Sequence, residues 1–503
     1  MHRSFTTKPR FSGGTARERG IAIMVSCILL VLAIPMVGLT IDGTLLYIVK
    51  SRLQGAVDGA ALAATQGLAR GTNDTAQVTA AQNAGATYVM LNYPASFFFT
   101  SNVTVDPTTD VTVDESVSHQ VTVSVTAHVT VPTLFMRWLS FTSTNVNATA
   151  SVVRRDVNIA IVMDRSGSLQ SSGSCQPLIQ SAINFVNKFS NGRDEMALIT
   201  FASSTHVDFP IANNFETATP SVPTMIGNLV CAGSTSTAQA LWQGYDELVG
   251  LNQAGALNVI LLFTDGKPTG VNVNMPLVNG TTCTSPHSGT PKWINGVYNT
   301  YTNVNEFFGI LAPTNTGLGN ITNSDLNPTP DSNTGAGCQY MSSWSSSDTT
   351  TSDFLGVPTT DIFGDNLNSG YQSITPLVNG GYIDLSQANN ALAMTMNGAD
   401  DAASQIRSGT SVCANSPATA LTECQALLTH SGNMSGIIIY AIGLLNATYG
   451  APNPDLLQRI ANDPAASNYN SGEAAGEYVP ANTAADINAA FAEVASQITR
   501  LAK

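Results

Sequence analysis

The chain has 503 residues, too many for one hydrophobic core, so it divides into two or more domains. Its charged residues are scarce at 11%, about half the usual fraction, and Ser, Thr, Asn and Gly supply the polar surface instead, a composition that suits an envelope or extracellular protein. A formal net charge of -14 leaves no basic face to displace counterions from phosphates, which argues against binding nucleic acid.

Residues 1–19 form a basic tail, in which Arg3, Lys8, Arg10, Arg17 and Arg19 stand against the single acid Glu18. From Gly20 to Ile41 there is no charged residue. Roughly twenty apolar residues at the helical rise are enough to cross a bilayer, so residues 20–41 are expected to be a transmembrane helix. Asp42-Gly43-Thr44 offers no small-x-small cleavage site, which favours an uncleaved anchor over a signal peptide. The basic flank places the amino end in the cytoplasm and the remaining chain outside, as for a single-pass protein. Pro35 within the span is compatible with a membrane helix.

The helical pattern continues beyond the span. Leu45, Val49, Leu53, Val57, Ala60, Ala64 and Leu68 recur at helical spacing in an alanine-rich stretch. A membrane helix running into such a half resembles the amino-terminal module of pilin-like proteins of the tight-adherence (Flp) pilus system. Equally, it describes a stalk helix packed on the next domain. This extension takes residues 42–70. The glutamate that true prepilins carry five residues after the cleavage glycine is missing, since Gly20 is followed by Ile21-Ala22-Ile23-Met24-Val25, so processing by a prepilin peptidase is not expected.

Residues 71–153 are assigned to a small β-rich stalk domain. Val alternates with Thr or Ser from Ser101 to Val153, as in Val121-Thr122-Val123-Ser124-Val125-Thr126, and period two with β-branched residues predicts strands with one buried face. Between them, Val131 to Leu139 reads as a short helix after a proline break.

Residues 154–503 begin with Asp156-Val-Asn-Ile-Ala-Ile-Val-Met-Asp164, a nearly uncharged run that predicts a strand buried on both faces of a parallel sheet. It ends on Asp164, followed at alternate positions by Ser166 and Ser168. Hard oxygen ligands at the carboxyl end of such a strand suit Mg²⁺ or Ca²⁺. The same residues would also serve to cap the next helix. A helix from about Pro177, a strand at Met196–Phe201 and an edge strand from His206 that stops at Pro210 follow. Next come Gly233-Ser-Thr-Ser-Thr-Ala238, a helix at Thr237–Leu251, and a second buried strand, Val259 to Thr264, that delivers Asp265. Strands and helices in alternation predict an α/β, doubly wound, Rossmann-like sheet.

These three segments, in this order, resemble the von Willebrand factor type A domain and its metal-ion-dependent adhesion site (MIDAS). The resemblance implies a divalent cation, Mg²⁺ or Mn²⁺, held by Asp164, Ser166, Ser168, Thr235 and Asp265. Thr235 is preferred to Thr237 because the family's ligand is the first threonine of a Thr-x-Thr pair. A cation of this kind keeps one position free for a carboxylate from a protein partner.

Between about 271 and 385 the chain is rich in Asn, Thr, Ser, Gly and Pro, and an unstructured loop of that length is rare inside a compact domain, so an inserted subdomain is expected. Asp325, Asp331, Asp361 and Asp365 within it would suit calcium by chemistry, although no loop has the required spacing. The sheet resumes with a helix at Ala391–Arg407 and a buried strand at Gly436–Gly443, and a final helix starts at a Thr483–Asp486 capping pair. Six cysteines follow Cys27. Their even number suggests disulfides in an oxidising compartment. Cys175 with Cys231 is the favoured pair, because each lies beside a metal-site segment, and Cys413 with Cys424 is next because it closes a short loop.

A membrane-anchored pilin-like module joined to a type A domain resembles the TadG-like proteins of tight-adherence pilus assembly. That resemblance implies a protein of the bacterial inner membrane that faces the periplasm or the exterior and helps assemble or anchor adhesive pili; the leading reading is a non-enzymatic binding module with a pilus or envelope component as its partner. Two rivals stand beside it: an envelope enzyme with an unrecognised site in the insertion, and a structural envelope protein with a vestigial metal site. The sequence contains no His-Glu-x-x-His, Gly-x-Ser-x-Gly or Walker phosphate loop to support the enzyme.

Overall fold

A computed structural model describes residues 16–70, 73–202, 205–233, 235–276, 357–375, 377–378, 380–383, 388–445 and 452–502, together with four short strands between 292 and 322. Asp325, Asp331, Cys283 and Cys338 lie outside the described residues. The chain divides into two compact units.

The first unit comprises residues 1–68, 78–114 and 122–152. It holds one long helix, α1 (Ala16–Gly67), which runs without a break through Pro35. Its apolar part is long and apolar enough to cross a membrane, and few of its side chains there touch protein. Beyond Asp42 the same helix changes character: Val49, Leu53, Val57, Ala60 and Ala64 are fully buried, as is Leu68 just past its end. They form the stripe that helical spacing predicts. A second helix, α2 (Asp74–Asn92), follows. It approaches α1 through small residues, and a side chain at Gly67 would place its Cβ 2.8 Å from the Ala81 backbone. The alternating segment then forms a three-stranded sheet, β1 (Val111–Asp114), β2 (Gln120–Pro132) and β3 (Ser143–Arg155), in the order β1-β2-β3. Every second residue of β2, from Val121 to Val131, is buried, as period two requires. The loop between β2 and β3 carries one 3₁₀ turn, Met136–Leu139, where the sequence predicts a short helix.

The second unit contains residues 153–503. Its centre is a six-stranded sheet of β4 (Val157–Asp164), β5 (Glu195–Phe201), β6 (Thr205–Ala212), β7 (Leu257–Thr264), β8 (Ile438–Leu444) and β9 (Tyr478–Ala481), in the order β9-β8-β7-β4-β5-β6. All neighbours are parallel except β6, which pairs antiparallel with β5 at the edge. β6 continues through Pro210 rather than stopping there. The register is irregular at that point, so the missing proline N–H costs no regular ladder bond.

Both faces of the sheet are covered, which is why β4 and β7 read as continuous apolar runs and are buried at every position. On one face α3 (Gly167–Ser171), α4 (Cys175–Val186), α5 (Val222–Gly227) and α10 (Ile487–Leu501) cover a core in which Phe185, Phe263 and Phe491 pack together. On the other, α6 (Thr237–Leu251), α7 (Ala388–Ser408), α8 (Leu421–Leu427) and α9 (Pro454–Ala461) enclose Trp242 and Tyr245. That core also takes in Ile362 and Phe363, whose ring stacks on Trp242 with centroids 6.4 Å apart. The carboxyl-terminal part of the low-complexity stretch is therefore woven into the α6 face. Asn272 accepts a backbone bond from Ile362 at 3.0 Å, which ties the start of that stretch to its end.

The Thr483–Asp486 pair forms, with the Asp486 carboxylate accepting both the amide and the hydroxyl of Thr483 at 2.9 Å. Asp486 itself is the cap position of α10, so regular helix begins one turn later than the pair suggests. Among the described residues two disulfides are present, Cys175–Cys231 and Cys413–Cys424.

Candidate metal centre

The sheet order explains why the sequence-predicted ligands meet. From β4 the chain moves through α4 to β5 on one side, and later returns through α6 to β7 on the other. The crevice between β4 and β7 is the switch point where open α/β sheets bind ligands. Met163 pairs with Phe263, so Asp164 lies level with Thr264, and Asp265 follows one residue beyond the strand. Both carboxylates thus emerge at the same sheet edge. Asp164 is fully buried and Asp265 nearly so.

The loop after β4 turns back onto them. The amide of Ser166 donates to Asp164 Oδ1 at 2.7 Å. The hydroxyls of Ser166 and Ser168 lie 2.9 Å apart, and both donate to Asp265 Oδ1, at 3.3 and 2.6 Å. Four of the five predicted residues therefore form one hydrogen-bonded cluster drawn from two strand ends.

Thr235 enters from the third segment. The loop before α6 is held against the loop after β4 by the Gly167 amide on the Gly233 carbonyl at 3.0 Å, and by Ala232 on Arg165 at 2.7 Å. A methyl group built on Gly266 would sit 3.7 Å from Thr235 Oγ1 and 3.9 Å from Ser168 Oγ, so these two hydroxyls flank one small volume beside Asp265. The structure brings all five residues to one place.

Two contributors were missed by reading the sequence. Thr264 donates its hydroxyl to Asp164 Oδ2 at 2.6 Å and orients that carboxylate. Thr269 accepts the Thr235 amide at 3.0 Å through its hydroxyl, and its own amide and that of Gly270 bond the Thr235 carbonyl at 2.8 and 3.0 Å. A threonine immediately before the strand-end aspartate was the available signal for the first; nothing local marked the second. The Cys175–Cys231 disulfide joins the start of α4 to the loop before Thr235, so a covalent bond also links two of the three ligand segments.

The electrostatics fit a cation. Burial, with the Asp265 charge nearby, pushes the Asp164 carboxyl up to about 7, and burial likewise raises Asp265. Two carboxylates this close resist ionising together unless positive charge joins them. Asp265 Oδ2 is buried without a hydrogen-bond partner, an acceptor that a bound cation would satisfy. Among the described residues no group of three or more His, Cys, Asp and Glu is placed to hold a metal. The donor set is instead two carboxylates with neutral hydroxyls, all hard oxygens, which suits Mg²⁺ or Mn²⁺.

The aspartates of the low-complexity stretch behave differently. Asp361 and Asp365 are buried side by side, and Asp361 Oδ1 accepts the amides of Phe363 and Asp365 at 2.9 Å. Asp365 accepts the Trp242 indole N–H and a Gln405 amide, each at 2.9 Å. These contacts cap a tight turn and fasten it to α6 and α7.

Residues 158–279 match the family profile of the von Willebrand factor type A domain, and residues 20–82 match that described as "Putative Flp pilus-assembly TadE/G-like". The chain thus carries a TadE/G-like amino-terminal segment and a type A domain. A curated relative, the uncharacterized protein YfbK of Escherichia coli (strain K12), is 30% identical over 109 residues, which is 22% of this chain and only 18% of that relative's length. Among solved structures, the PilB minor pilin from Streptococcus sanguinis matches at 13% identity with a TM-score of 0.34, covering 82% of this chain and 81% of that one. The vWF domain of the type V pili tip protein Mfa5 from Porphyromonas gingivalis matches at 16% identity with a TM-score of 0.35, covering 70% and 98%.

Proposed function

We propose that this chain is a membrane-anchored, envelope-facing binding protein of Flp pilus assembly or adhesion, whose type A domain captures a protein partner through a divalent cation. Asp164, Ser166, Ser168, Thr235 and Asp265 would hold Mg²⁺ or Mn²⁺, and the cation would present an electrophilic position to a carboxylate of a pilus or envelope component. The observation that carries this reading is the convergence of two buried carboxylates and three hydroxyls at one sheet edge, with Asp265 Oδ2 left without a partner. The TadE/G-like segment supports the pilus context. The reading is non-enzymatic: in it the site's carboxylates and hydroxyls serve as hard ligands to the cation.

Metal binding is tested by thermal unfolding of the whole protein in detergent with Mg²⁺, Mn²⁺ or chelator. A cation that binds only the folded state stabilises it by about 2.7 kcal/mol at a hundredfold excess over its dissociation constant. Asp164→Ala is expected to abolish that gain, and Asp265→Ala to reduce it. Equal melting curves for wild type and Asp164→Ala in saturating metal would remove the metal site. Capture of envelope proteins by crosslinking should then depend on metal and be lost with chelator; capture indifferent to metal would leave a cation site without the binding role.

A further inference from the structure

The loop joining β2 to β3 lies against α1 at the level where the apolar run ends, and it is built unlike a loop that faces water. Four of its exposed side chains are large and apolar: Trp138 is 86% exposed, Phe141 59%, Leu134 48% and Phe135 39%. A contiguous patch of this kind on a folded domain marks an interaction surface. Phe135 lies on the helix at Gly38, where a Cβ would come within 2.6 Å of its ring. Phe135, Met136 and Trp138 together with Ile34, Met36 and Leu39 of α1 line an apolar recess of about 550 Å³.

Seven of the loop's backbone amides are also satisfied from within the protein. Asp42, the first charged residue after the apolar run and itself buried, accepts the amides of Leu134, Phe135 and Met136 at 2.9, 3.0 and 2.7 Å. The amides of Thr133, Trp138, Ser140 and Phe141 bond carbonyls of the same loop at 3.1 to 3.2 Å. Internal satisfaction of backbone donors is what a hydrocarbon environment demands and what water makes unnecessary.

We infer that this loop is a second membrane contact, inserted into the leaflet where α1 emerges, with acyl chains filling the recess and Trp138 at the hydrocarbon–headgroup boundary. The inference rests on the reading of α1 as a membrane anchor and deepens it. Continuity with the apolar helix identifies the occupant as lipid. At 1.5 Å per residue, Leu39 and Ile34 lie roughly 5 and 12 Å before Asp42, within the half of a ~30 Å hydrocarbon core nearest that end. Tryptophan favours this boundary, and the exposed Arg137 beside it is placed to meet lipid phosphate. The loop would fix the depth and tilt of α1 as well as its attachment.

The test is tryptophan quenching by brominated lipid. The full chain is reconstituted into phosphatidylcholine–phosphatidylglycerol vesicles with plain or brominated acyl chains, and flotation is measured on the same samples. Wild type should lose fluorescence in brominated vesicles relative to plain ones, and Trp138→Phe should remove that loss while still floating. Trp138 is almost fully exposed, so its replacement leaves the fold intact. Protein that floats but is quenched equally with and without Trp138, or not at all, would overturn the lipid contact and leave the anchor standing; a partner helix covering the recess would give this result. Protein that fails to float would overturn both.

Discussion

Asp361 and Asp365 carry a residue-scale prediction that is independent of metal. Burial pushes the Asp361 carboxyl up to about 7 and Asp365 well above its ordinary range, where the neighbouring Asp361 charge adds to the effect. Both folded-state values exceed the unfolded one. The folded state therefore binds more protons than the unfolded state between about pH 4 and 7, and stability falls as pH rises through that window. Asp361→Asn keeps an oxygen for the two amides and supplies an N–H toward Asp365, so it should remove part of that slope in thermal unfolding with chelator present. Because the Trp242 indole donates to Asp365, Trp242 fluorescence should also titrate, and Asp365→Asn should flatten the change. A wild-type stability that rises from pH 4 to 7 would contradict a folded state that holds these carboxyls protonated. At this scale the sequence was most informative where chemistry is local. Asp164, Ser166 and Ser168 sit within five residues and Asp265 ends its own strand, so each could be found by position. Thr269 acts on the backbone of Thr235 from 34 residues away, which only the folded chain reveals.

At the scale of elements, strands and helices with strong apolar contrast were legible. The strands ending at Asp164 and Asp265, and α6 at Thr237–Leu251, fall within a residue or so of where their patterns place them. Helix α2 was not separated from the β-rich stretch that follows it, and the reason is physical. Its buried face is made mostly of small residues, as at Ala81, Gly85 and Ala86, and close packing on Gly67 replaces the large side chains that make a helical stripe visible. The disulfide Cys175–Cys231 was inferred from the need for its two loops to meet, and it yields a prediction. A cross-link spanning 56 residues removes unfolded-state entropy worth about 4 kcal/mol in the chain-entropy account. The Cys175→Ser, Cys231→Ser double variant should lose stability of that order in reversible denaturation. It should also bind Mn²⁺ more weakly, because the Thr235 loop is no longer tied to α4. Unchanged Mn²⁺ affinity would confine the disulfide to a stabilising role.

For the molecule as a whole, the distribution of charge argues a topology. Five Lys and Arg residues precede the apolar run, against one acid, while the whole chain carries a net charge of -14. Positive charge close to the end of a membrane helix is retained on the cytoplasmic side, and the acids spread through the later domains exert little opposing effect. On this topology the chain after Asp42 would be exported, and the cysteines beyond the span would lie in an oxidising compartment, where disulfides persist. The two disulfides and the scarcity of charged residues agree with that placement. The final prediction is therefore a cytoplasmic amino terminus, a single span near residues 20–41, and a type A domain on the outer side. Protease added to bacterial spheroplasts should destroy the type A domain while an epitope on the amino-terminal tail survives in a membrane-bound fragment. A Lys503 tag protected until the membrane is dissolved would reverse the topology. With it would go the envelope role, since a metal site facing the cytoplasm could not meet a pilus or envelope partner.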